Sequence, residues 1–64
     1  MSDTARKADA IVAPVWKAGP HASGKAVAAA AVQIGALVPH DSADRHAVEE
    51  ALEFLGMHPA AVAT

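Results

Sequence analysis

Between Ala26 and Val38 the chain sets thirteen residues in which Gln33 is the only polar side chain. A helix that is apolar on every side has no face suited to water and must be surrounded by protein. With 25 residues before this run and 26 after it, the rest of the chain can sheathe such a helix only in part. The remaining cover has to come from a second copy or from a different protein. The first expectation is therefore one of association: a homo-oligomer, or a chain that docks on a protein partner.

A chain of 64 residues makes one domain at most, here residues 1–64, and leaves a large share of its surface exposed after folding. Chains of this size usually need a staple. The absence of cysteine removes disulfides and thiolate metal sites, which leaves oligomerisation, partner binding or dense helix packing. Eighteen of the residues are alanine, and Trp16 and Phe54 are the only aromatics. Alanine has the highest helix propensity but buries little area, so helices built on it gain stability by close approach rather than through bulky side chains. The expected fold is all-α, a small three-helix bundle. The same alanine bias, with Gly, Pro, Arg and Val, fits a GC-rich bacterial or phage genome.

The net charge of −2 hides an asymmetry. Arg6, Lys7, Lys17 and Lys25 outnumber Asp3 and Asp9 in the first half, whereas Arg45 faces Asp41, Asp44, Glu49, Glu50 and Glu53 in the second. The halves attract, which could set the register of a dimer, although two solvated faces are the plainer reading. Arg6 and Lys7 precede an apolar run that Asp9 and Pro14 interrupt, and the Ala26–Val38 run lies too deep to be a signal-peptide core. Thirteen apolar residues also fall short of the ~20 that a membrane-spanning helix needs. The chain is expected to be cytoplasmic, without a membrane partner.

Pro and Gly divide the chain into three helical segments. The first spans about residues 4–17, capped by Asp3 or Thr4, stopped by Gly19-Pro20, and kinked near Pro14 or split there into two short helices. Ala8, Ile11, Val12, Val15 and Trp16 form its apolar stripe, and Asp3–Lys7 and Arg6–Asp9 pair on the other side. The second spans 23–38, from a Ser23 cap to Pro39. Ala31 and Gly35 stack on one face of it, where a neighbouring backbone could approach closely, while Ala30, Ile34, Leu37 and Val38 face the other helices. The third spans 42–56, capped by Asp41 or Ser42, with Gly56 placed to end it in the left-handed conformation. Val48, Ala51, Leu52 and Leu55 are its stripe, Glu49, Glu50 and Glu53 its solvent side, and Phe54 lies at the stripe's edge. Residues 59–63 read either as one loose helical turn beginning at Pro59 or as a frayed tail.

The inventory for chemistry is thin. His21, His40, His46 and His58 sit at segment ends, and none forms the i, i+4 pair of a helical zinc site. His40, Asp41, Asp44 and His46 could converge at one helix start, but both aspartates already have capping or dipole roles there. Gly19 to Lys25 superficially resembles a phosphate-binding loop, yet Ala26 stands where the hydroxyl belongs and no strand precedes it. Ser2, Ser23 and Ser42 have no positioned His and acid, and a bundle this small has little room for a water-excluded pocket. No catalytic residue, metal site or cofactor is expected.

Val48 to Val62 resembles the first helix and turn of bacterial helix-turn-helix regulators, in which a helix ends in Leu-Gly and an apolar residue, here Leu55, Gly56 and Met57, before the recognition helix. The resemblance implies a DNA-associated regulator. Against it, no basic or amide side chain follows Met57 to reach bases or phosphates, and Glu49, Glu50 and Glu53 would repel the backbone. The reading favoured by the residues is a non-enzymatic protein–protein interaction module, a regulator or inhibitor, with Trp16, Ala31, Gly35, Phe54 and Leu55 at its interface. Trp16 and Phe54 would be its aromatic anchors. Filling the core is the simpler expectation for Trp16, since the chain has no other side chain as large.

Overall fold

A computed structural model describes residues 2–62, Val62 in its backbone only. Helix α1 spans Asp3–Ala18, a 3₁₀ turn follows at Gly19–His21, and α2 spans Gly24–Gly35, α3 Ser42–Gly56 and α4 Pro59–Val62. The three long helices pack on one another and the short α4 lies against α2 and α3. The fold is thus an all-α small helical bundle.

Each start has a local cause. The Ser2 hydroxyl accepts from Ala5 N–H (3.1 Å), so Ser2, rather than Asp3 or Thr4, caps α1. Thr4 is instead buried. Ser23 caps α2 through Ala26 N–H (3.1 Å), and Asp41 caps α3 through Asp44 N–H (2.8 Å). Pro14 does not divide the first segment: α1 runs through it as one helix. On the surface of α1, Arg6 pairs with Asp3 at 2.9 Å, not with Asp9.

Two ends depart from expectation. Helix α2 stops at Gly35, three residues before Val38. Pro39 disfavours helical geometry at the residue before it, and the last turn tightens beforehand, with Leu37 N–H bonded to Ile34 C=O at 3.1 Å. Val38 is consequently exposed rather than packed. Gly56 stays helical, because Met57 N–H still bonds Glu53 C=O (3.0 Å) and the chain turns only at Met57, with φ −87°. Among the described residues the positive-φ position is Gly19 (φ 60°), which closes α1 and would strain any residue with a side chain.

The buried core is Ala8, Val15, Ala22, Val27, Ala30, Ile34, Ala51 and Leu55. Half of these are alanine, so the helices approach closely around four larger buried side chains, Ile34, Leu55, Val15 and Val27. The molecule measures 33 × 19 × 15 Å. Since a helix with side chains is ~10–12 Å across, the thin dimension holds little more than one helix and a shared layer. Every long helix therefore keeps one side outward.

Candidate interaction surface

Helix α2 carries the most informative surface. Its inward side is Val27, Ala30 and Ile34, all buried. At ~100° per residue Ala28, Val32 and Ala36 fall on the opposite side, and all three are exposed. Val32 is 74% exposed although it lies two residues from Ile34, which is 0% exposed. After Lys25 no charged residue occurs in α2. From Ala26 onward the outer side of this helix is thus an uncharged strip facing water.

An open groove flanks the strip on either side. One, of about 410 Å³, lies between α1 and α2 and includes Ile11, Pro14, Ala26, Ala29 and Gln33. The other, of about 390 Å³, lies between α2, α3 and α4 and includes Ala28, Ala31, Leu52, Leu55 and Ala60. The structure therefore brings Ala31 and Leu55 to one groove. Leu55 is 2% exposed and belongs to the core that floors it, so it offers little surface of its own. Gly35 is exposed at the end of α2, and a Cβ there would meet nothing within 4 Å, so no helix of the same chain uses it for close approach.

Trp16 and Phe54 lie elsewhere. Trp16 is 71% exposed on α1, which overturns the expectation that it fills the core. Phe54 is half-buried on α3, packed against the core cluster. Sequence periodicity did not single out the exposed Val32 and Met57. The signal for Val32 was present in its spacing, four residues after Ala28 and three before Gly35.

Two polar clasps hold the scaffold behind this surface. At one end the carboxylate of Asp44, 3% exposed, accepts from His40 N–H at 3.1 Å. With Asp41 bonded to Asp44 N–H, this is a variant of the reciprocal capping box. The hydroxyls of Ser2 and Thr4, at the start of α1, face the same carboxyl, but neither closes a hydrogen bond to its Oδ1. The Ser2 hydroxyl first, then the His40 amide, holds Asp44 below its ordinary value of 3.8, against the opposing push of burial.

At the other end His58 is buried, with Nε2 2.7 Å from Gly19 C=O and Nδ1 3.0 Å from Ala60 N–H. A carbonyl only accepts and an amide N–H only donates, so both contacts require a neutral ring with its proton on Nε2. This residue starts α4 and ties it to the end of α1, a role that its place in the sequence did not reveal. The starts of α1 and α3 meet at Asp44 and their ends at His58. These two helices run parallel and pack directly on each other, and α2 returns in the opposite direction against both.

The remaining histidines form no site. His46 pairs with Glu50 at 3.2 Å on the surface. Among the described residues no group of three His, Asp or Glu side chains converges as a metal site would require. Gly19 to Ser23 is a 3₁₀ turn leading to a helix cap. In the segment that resembles a helix-turn-helix, the position of the recognition helix is taken by α4, a single turn from Pro59 to Val62. No described helix is long and apolar enough to cross a membrane. Compared with known proteins, the chain matches no family model, no curated protein and no solved structure.

Proposed function

We propose that this protein is a small non-enzymatic interaction module, a regulator or inhibitor that acts by self-association or by docking on a protein partner. The observation that carries the reading is the outer side of α2, uncharged after Lys25, where Val32 stands 74% exposed among Ala28, Gly35 and Ala36. A surface helix of a globular protein ordinarily turns charged and polar residues outward. This one does so only at Lys25 and Gln33. Trp16, 71% exposed on α1, adds a second apolar projection of the kind that concentrates binding energy when a pocket receives it.

The test is solution mass by light scattering across a dilution series, with helicity followed in the same samples, for the wild type, Val32→Lys and Trp16→Ala. Both substitutions fall at exposed positions and should change stability by no more than ~0.5 kcal/mol. Under self-association the mass of the wild type rises with concentration and Val32→Lys abolishes the rise. Trp16→Ala weakens it only if the indole also reaches the interface. A wild type that remains folded and monomeric at the highest concentrations would exclude self-association and leave docking on another protein, whereas a Val32→Lys variant that associates as the wild type does would show that the strip is not the surface, and the reading would fail.

A further inference from the structure

We infer that the cover for α2 is a second copy of this chain, the two α2 helices packing antiparallel about a two-fold axis that passes near Val32. The inference rests on the interaction reading above and adds the occupant and its orientation. Three observations support it.

The first is the chemistry of the face. Ala28, Ala29, Val32, Gly35 and Ala36 present a low, uncharged surface, and the open space over Gly35 leaves room for another backbone. Such a face carries no pattern of charges by which a foreign partner would be selected. A two-fold contact needs only that the patch match itself, and with the axis beside Val32 the two valines lie side by side, each against the partner's small residues.

The second is the placement of charge, which also sets the direction. The single formal charge on α2 is Lys25, in the first turn, at the positive end of the helix dipole. In a parallel pair the two lysines and the two positive helix ends would lie together. In an antiparallel pair each Lys25 comes to the negative end of the partner's α2, beside the loop that carries the exposed Asp41. The antiparallel arrangement thus converts an unfavourable placement within one chain into a favourable one between two.

The third is area. A stable interface takes roughly 800 Å² from each partner, under a fifth of the 4354 Å² that the chain exposes, and the two open grooves beside α2 widen the face from which it is drawn.

Disulfide trapping reads the arrangement directly, because the chain has no cysteine of its own. Val32→Cys, Ala28→Cys and Ala36→Cys are each oxidised alone, and the last two also as a mixture, in the full chain and alongside light scattering of the wild type. The expected pattern is strong cross-linking of Val32→Cys with itself and of Ala28→Cys with Ala36→Cys, with little of either alanine variant with itself. Self-linked Ala28→Cys and Ala36→Cys would indicate a parallel pair. An associating wild type with no link at any of the three positions would place the contact on another face. Either result overturns this inference while self-association stands, whereas a wild type that never associates overturns the second copy as occupant.

Discussion

At one end of the parallel α1–α3 pair an ionised carboxylate lies beside the hydroxyls that begin α1, and at the other a neutral imidazole is bonded to the end of α1. Asp44 gathers an amide and two hydroxyls around a charge and keeps one oxygen without a hydrogen bond. His58 spends each ring nitrogen on one backbone group and is fully matched. Between them the core is half alanine, and alanine methyls interlock too weakly to fix one helix register against another. The difference teaches that direction and register are specified at the ends of this bundle, while the middle supplies the apolar burial.

The largest expected effect sets the scale for that division. Ile34→Ala removes the most completely buried side chain of the middle layer and should cost about 2–5 kcal/mol. For so small a domain this is a large part of the total stability, and thermal melting followed by circular dichroism should show loss of the cooperative transition. Were the variant to melt like the wild type, burial in the middle layer would not be what holds the helices together.

Removing the imidazole comes next. His58→Ala leaves Ala60 N–H without its partner, while Gly19 C=O keeps the bond from Ala22 N–H (3.2 Å), and an amide so abandoned in a part-buried setting costs about 1 kcal/mol. The loss should be local: α4 frays, the amide of Ala60 exchanges faster with solvent, and the first turns of α1 and α3 keep their protection. Hydrogen exchange resolved by residue checks this. Equal deprotection at the Asp44 end would mean that the two clasps open as one unit and that the contrast between them is not functional.

Much of the scaffold was legible in the residues and little of its fastening. Helix α3 could be read from residue 42 to residue 56 because an aspartate cap, an i, i+3, i+4, i+7 stripe and an outward acidic row all agree. The Ser23 cap was equally local. The end of α2 was not, since Pro39 marks where a helix cannot continue rather than where the chain first leaves it. Trp16 falls on the stripe of α1 by spacing, yet the buried face of the helix is set by Ala8 and Val15, and Trp16 lies ~100° around from Val15. His58 meets Gly19 across 39 residues, and no periodicity reports a contact at that range. As for the candidate surface, Ala31 and Gly35 direct attention to α2, but its outward strip is identified only once Ile34 is known to face inward.

The smallest effect belongs to the carboxylate and is seen best through pH. The value of Asp44 in the fold lies below its ordinary 3.8, so ionised Asp44 stabilises the folded chain. That contribution is complete above the ordinary value and is lost as pH falls through the lowered one. On this account the melting temperature owes nothing to Asp44 titration between neutrality and about pH 4, then declines below it. Asp44→Asn keeps the shape and can still accept from His40 N–H through its amide oxygen, but it has no proton to gain. It should be less stable than the wild type at neutral pH, and the gap should narrow as the solution is acidified below pH 4. A gap of constant size would mean that the contact depends on shape and hydrogen bonding rather than on charge. The two ends of the bundle would then differ in their atoms but not in the kind of force that holds them.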